Sequence, residues 1–319
     1  MLKKMSIRKI MITTLSLFAL LLLYLMPSNS PLDYEIETET VEYVYTNMLE
    51  VIYLLDSNDY VARTTIKGCA CDTTETIKDV CEGLITDGKK SNIIPNGFRP
   101  LIPSGTEILE LNLEEKVLTI NFSKELLTIN EKYEEKMIES IVFTLTSIEG
   151  IDKVIIKVEG EVLKKLPNSG KILPDILDKS FGINKNYSLV NTNNIDSYTV
   201  YYVSNNNNEN YYVPVTKYVN SESKDKIKVI IEELSTSPIY EQNLMSFLNS
   251  NVSLIDYSLE NEKLILNFND YIFNDASNTI LEEVIYTITL SIEDNYNIKN
   301  IEFHVNNEEI YKNLQKTLE

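Results

Sequence analysis

The sequence predicts an α+β protein: two tandem small modules, each a mixed sheet with two helices on one face. Three observations predict it. One apolar pattern returns after a shift of 146 residues, from Phe122 to Phe268. Within each copy, alternating runs of period two form a hairpin. Stripes of helical spacing flank that hairpin on both sides.

The chain starts with Lys3, Lys4, Arg8 and Lys9 ahead of an apolar run from Ile10 to Met26. A basic flank before an apolar run marks export and places the rest of the chain outside the cytoplasm. As a helix the run is about 25 Å long, slightly under the thickness of a hydrocarbon layer. A cleaved signal peptide and a retained anchor both fit. Pro31 disfavours a cut after Ser30, so residues 1–30 are expected to stay as an anchor, with 31–47 as a juxtamembrane segment.

The first module is expected over 48–165. It opens with the extended stretches Val51 to Leu54 and Val61 to Ile66. Ile77, Val80, Cys81 and Leu84 then fall on one helical stripe, with Asp72 and Glu75 placed as a capping box. Leu109, Leu111 and Leu113 alternate with polar residues, and Leu118, Ile120 and Phe122 do the same after a tight turn, so the pair reads as a hairpin with one buried face. Met137, Ile138, Ile141, Val142 and Leu145 form the second helix, and Val154, Ile156 and Val158 the closing strand.

A linker is expected over 166–196, where Pro167, Gly170, Pro174 and Gly182 precede an Asn-rich stretch. The second module, 197–319, repeats the order. Val200 to Val203 and Tyr211 to Val219 open it. Ile227, Ile230, Ile231 and Leu234 give the first helix; Ile255, Tyr257, Leu259, Leu264, Leu266 and Phe268 give the hairpin. Ile280, Leu281, Val284, Ile285 and Ile288 are matched to the second helix at a shift of 143, and Ile301, Phe303 and Val305 close the copy.

Charge and chemistry exclude several classes. With 48 acidic against 29 basic residues the net charge is −19, which argues against a duplex nucleic-acid binder. The one histidine, His304, alternates with Phe303 and Val305 and matches Lys157 of the first copy, so it is read as an exposed strand residue. Cys69, Cys71 and Cys81 are too few for a structural zinc set; Cys81 takes a core position, although an exported protein could oxidise it with Cys71. No phosphate-cradling glycine loop and no calcium loop is present. Glu139 and Glu282 recur at the 143 shift and are assigned to a solvated helix face. Tyr201, Tyr202, Tyr211 and Tyr212 are expected to divide between core and rim. The sequence therefore offers no catalytic, cofactor-binding or metal residues and is not that of an enzyme.

Ile102, Pro103, Ser104, Gly105 and Thr106, then Leu109 to Leu126, resemble the GerM domain of sporulation and spore germination proteins. So does the helix Glu139 to Thr146 with the strand Val154 to Gly160 after it. Phe181, Gly182, Ile183 and Asn184 resemble that family's inter-domain segment. The second copy lacks the Pro-x-Gly-Thr element. The resemblance implies a fold like the ring-building motif found in subunits of the channel between mother cell and forespore. It implies a non-catalytic, extracytoplasmic assembly protein of sporulation. Its partners would be proteins of that channel complex, and its place the outer face of the cytoplasmic membrane, on the mother-cell side facing the forespore. Family members are commonly lipoproteins, whereas this chain lacks the lipid-accepting cysteine, so anchoring falls to Ile10 to Met26. The negative charge favours docking onto another protein over a homomeric ring. A ligand- or glycan-binding module acting in germination, built on exposed tyrosines and the loop Thr86 to Pro103, is the alternative.

Overall fold

The computed structural model describes residues 11, 14–18, 21, 49–69, 71–220, 225–236, 243–260, 263–273, 279–296, 298 and 300–313, with side chains up to residue 311. The chain divides into two units, Met1–Thr46 and Asn47–Glu319. In the first, Met11, residues 14–18 and Leu21 are helical and exposed, and most of the Ile10 to Met26 run lies outside the described residues. Among the described residues no helix is long and apolar enough to cross a membrane.

The second unit is a mixed α+β body of two copies. The first contains β1 (Leu49–Leu55), β2 (Val61–Lys67), α1 (Thr73–Leu84), β3 (Ile108–Glu114), β4 (Val117–Phe122), α2 (Glu134–Leu145), β5 (Lys153–Val158) and β6 (Glu161–Val162). A short strand, β7 (Asn186–Ser188), follows. The second copy contains β8 (Ile195–Asn206), β9 (Glu209–Asn220), α3 (Lys226–Thr236), β10 (Leu254–Glu260), β11 (Lys263–Phe268), α4 (Glu282–Tyr296), β12 (Asn300–Val305) and β13 (Glu308–Asn313).

Two equivalent four-stranded sheets run β3-β4-β5-β6 and β10-β11-β12-β13, each with one parallel pair between hairpins. In the first, Leu118, Ile120, Phe122, Val154 and Ile156 are buried with Ile77, Cys81 and Leu84 of α1 and the apolar side of α2. Burial of each such side chain contributes roughly 1.5–3 kcal/mol. The repeated Asn-Phe dipeptide has a structural reason. Asn121 Oδ1 accepts from Gly160 N, and Asn267 Oδ1 from Asn307 N, so each asparagine ties the β4 or β11 end to the turn after the neighbouring strand. Paired positive-φ residues at 159–160, 207–208 and 306–307 form two-residue hairpin turns, which uses part of the asparagine excess where left-handed backbone is needed.

The opening strands do not belong to those sheets. The β1–β2 and β8–β9 hairpins come together into one five-stranded sheet shared by both copies, with Arg63 of β2 opposite Tyr212 of β9 and β7 parallel to the far end of β9. Its outer strands are β1 and β8, and the second helix of each copy seals one of them. Tyr53 N donates to Thr144 Oγ1, and Ser140 Oγ donates to the Tyr53 carbonyl. On the other side Tyr201 N donates to Ser291 Oγ, while Asn295 spans Thr199 N and O. Small hydroxyl side chains thus satisfy backbone groups that an open sheet edge would expose. Packed between two sheets, α2 buries ten of its twelve residues, so it has no solvated face.

These bonds correct the helix register. Thr144 and Ser291 perform the same task, a shift of 147, so Met137 matches Val284 and Glu139 matches Tyr286. Ile280 and Leu281, expected in the helix, precede it.

A second correction concerns β3 and β10. Leu111 and Leu113 pair with the buried Ile120 and Leu118, yet Leu113 is 38% and Leu109 47% exposed. In the second copy Tyr257 and Leu259 pair with buried Leu266 and Leu264, and Leu259 is 60% and Ile255 51% exposed. Both ladders shift register at the same place, between Ile108 and Glu110 and between Leu254 and Asp256. The apolar face of each sheet therefore extends past its own helices.

The connector is ordered. Leu166, Leu173, Leu177 and Ile183 are buried in the first core, and Leu177 bridges Val154.

Candidate functional site at the domain junction

The segment Phe181 to Lys185 joins the copies. Gly182 has φ +78°, and a Cβ there would lie 2.7 Å from the Tyr218 hydroxyl, so the turn requires glycine. The turn delivers Ile183 to β9, where its N donates to Thr216 Oγ1 at 2.9 Å and its carbonyl accepts from Thr216 N at 2.8 Å. Asn184 follows at φ 45°, a conformation asparagine tolerates. Its side chain fills the gap on the edge of β9 where β2 leaves and β7 begins. Oδ1 accepts from Val61 N at 2.9 Å; Nδ2 donates to the carbonyls of Val61 and Pro214, each at 2.8 Å. One amide side chain thus stitches a strand of the first copy to a strand of the second.

Below it lies Glu139, 3% exposed, whose Oε2 accepts from Asn184 N at 3.0 Å. Burial raises its carboxyl to about 7, although Lys185, 3.7 Å away, pulls the other way. Lys185 also reaches Glu135 at 2.5 Å and lies 3.5 Å over the Phe181 ring. Glu135, Glu139, Asn184 and Lys185 border a cleft of about 380 Å³ that Lys132, Lys136, Lys171, Tyr187, Tyr202 and Lys217 also line.

A buried chain of hydroxyls crosses the seam beside it. The hydroxyls of Tyr53 and Tyr201 are 2.7 Å apart, and Tyr201 donates to Asp294 Oδ2 at 2.6 Å. Tyr201 has one proton, so Tyr53 is the donor in the first bond. Lys179 pairs with the other Asp294 oxygen. Burial and the Asp294 charge push both phenols up, so they stay protonated. Burial would lower the Lys179 ammonium, but Asp294 raises it overall. Tyr211 closes the far end by donating to Asp56 Oδ2 at 2.8 Å, with the Phe98 ring edge-on 4.9 Å away. Tyr201→Phe leaves Tyr53 and Asp294 short of a partner and is expected to cost about 1–2 kcal/mol in denaturant unfolding, with Tyr53→Phe costing less.

Residues 51–164 and 199–311 match the family described as Germane: Sporulation and spore germination. The chain belongs to this family. It is 30% identical over 276 residues to the spore germination protein GerM of Bacillus subtilis (strain 168), spanning 85% of this chain and 75% of that protein. The solved tandem GerMN domains of the sporulation protein GerM from Bacillus subtilis superpose with a TM-score of 0.75 at 30% identity. That match covers 82% of this chain and 92% of the other.

As a Germane-family protein the chain places its sequence-marked residues as follows. Glu139, expected on a solvated face, is buried at the junction because α2 has sheets on both sides; Glu282 is exposed. Tyr201, Tyr202 and Tyr211 are buried and Tyr212 is half-buried, so the expected division between core and rim falls mostly to the core, with Tyr202 and Tyr211 packed in the second copy's cluster. The loop Thr86 to Pro103 is clamped: Ile102 pairs with Ile85 and Arg99 with Leu55. Cys81 is a buried free thiol, its proton held by burial to about 12, and the disulfide joins Cys69 to Cys71 rather than Cys71 to Cys81. His304 is half-buried, not exposed, and lies beside Glu302. Sequence reasoning marked the Phe181 to Asn184 segment only through its resemblance. The Tyr53, Tyr201, Asp294 and Lys179 chain carried no signal, because its members come from four separated elements.

Proposed function

We propose that this Germane-family chain is a non-catalytic, extracytoplasmic assembly protein of sporulation. It is held at the mother-cell membrane by its N-terminal segment and docks onto proteins of the channel complex between mother cell and forespore. The observation that carries the reading is the pair of matched apolar strips on β3 and β10. Leu113 in one copy and Leu259 in the other continue a core face into solvent, with Leu109 and Ile255 exposed at the matched register shifts. Apolar overhangs at the same place in both copies are surfaces a partner would cover. The two copies are locked through a shared sheet, as suits a scaffold. The family match and the likeness to a sporulation protein support the process; the basic flank and apolar run support the location.

Charging the strips tests this. Leu113→Lys with Leu259→Lys sits at exposed positions and is expected to change stability by no more than about 0.5 kcal/mol. Heat-resistant spore counts are expected to fall to the level of a deletion strain, and crosslinking pull-downs from sporulating cells to lose their partners. Normal sporulation with the double variant would overturn the docking reading.

A further inference from the structure

We infer that Glu302, His304 and Glu309 form a binding site for a divalent transition-metal ion of the Zn²⁺ type on the second copy. Their donor atoms, one from each side chain, all lie within 4.8 Å of one another. The placement follows from the sheet. Glu302 and His304 are two apart on β12 and so share a face, and His304 is the cross-strand partner of Glu309 on β13. The ladder breaks register between Phe303 and His304, a bulge of the kind that re-aims a side chain.

Two features point to a ligand. His304 Nε2 is shielded from solvent and has no hydrogen-bond partner, although it faces a carboxylate: Glu302 Oε2 is 3.5 Å away, beyond a good bond. A buried imidazole nitrogen without a partner is costly unless something occupies its lone pair. The donor set also suits this ion class. One imidazole with two carboxylates matches borderline cations, whereas calcium and magnesium prefer oxygen alone. Three protein donors are the number found in a zinc site that leaves a fourth position for water.

The first copy has the same backbone without the chemistry. Ile155 and Lys157 stand where Glu302 and His304 do, and Val162 faces Lys157. The site is therefore a property of the second copy and not of the fold. Closing it needs donors about 3.3 Å apart, given metal bonds near 2 Å. Glu309 is exposed and can rotate inward. Lys263, 3.1 Å from Glu302 Oε2, is a cation competing for that carboxylate, so an ion binding here must share or displace it.

The test uses the full chain purified without a histidine tag, stripped with a chelator and titrated calorimetrically with Zn²⁺. His304 is the only histidine, so its imidazole resonances in a nitrogen-correlated spectrum assign themselves. One ion per chain is expected, with a shift of the Nε2 resonance on addition. Glu309→Gln, at an exposed position, and His304→Asn are each expected to weaken binding by about tenfold or more with an unchanged circular dichroism spectrum. Absence of saturable binding overturns the inference. So does binding that both variants retain, or an imidazole that titrates with pH yet ignores Zn²⁺, as a simple His304–Glu302 ion pair would.

Discussion

Asn184→Ala is expected to destabilise the Asn47–Glu319 body by about 2–4 kcal/mol, measured by chemical denaturation at neutral pH. The alanine strands Val61 N, the Val61 carbonyl and the Pro214 carbonyl, three backbone groups whose partner is that one amide. Each unsatisfied buried group costs about 1–3 kcal/mol, and the site's partial burial holds the total to the lower part of the range. Alanine also tolerates φ 45° less well than asparagine. Asn184→Asp keeps the acceptor for Val61 N but sets a charged oxygen against the Val61 and Pro214 carbonyls, so it should cost at least as much as alanine at neutral pH. A loss under about 1 kcal/mol for the alanine variant would mean that water replaces the amide and that the seam does not depend on it.

Glu139→Gln is expected to stabilise the protein, and only at higher pH. The Glu139 carboxyl titrates near 4.5 when unfolded and at about 7 when folded, chiefly because it is buried. The folded state therefore binds the proton more tightly. Its favourable share is fully present below about pH 4.5 and is lost as pH rises through about 7. Above that pH the ionised carboxylate carries a penalty on the order of 3 kcal/mol, which glutamine removes while still accepting the bond from Asn184 N. The stability difference between variant and wild type should be near zero at pH 4.5, grow between pH 5 and 7, and then level off. Parallel curves for the two proteins would refute the assignment.

What the residues revealed before the structure follows from what periodicity can encode. Hairpins at 109–122 and 255–268 and the helix stripes were legible because alternation and the 3.6-residue period are local. The register of α4 was not. A shift of 143 and one of 147 differ by one helical turn, so both lay the same apolar stripe on the same side; only the bonds from Tyr53 and Tyr201 distinguish them. Alternation likewise put Leu109, Leu111 and Leu113 on one face; the ladder keeps Leu111 and Leu113 there but slips at Leu109, and whether a helix reaches far enough to cover Leu113 depends on tertiary geometry. Glu139 was misread for the converse reason. A glutamate on a helix is usually solvated, and nothing local reveals that hairpins from both copies merge into a second sheet over α2. The junction residues Tyr53, Asn184, Tyr201 and Asp294 are far apart in sequence, so no spacing rule could collect them.

The merged sheet also bears on binding strength. Under the docking proposal each apolar strip alone offers a small, weak contact. Because the copies are joined strand to strand, the strips are held at a set separation, and once one strip is engaged the other meets its target at an effective concentration rather than by diffusion. Such coupling raises affinity by roughly 10²–10⁴ for a partner whose two acceptors match the spacing, and by nothing for a partner that presents only one. The seam at Asn184 would then work as a gauge of partner geometry. Loosening it would weaken capture of a repeating surface while leaving both strips, and any single-point contact, intact.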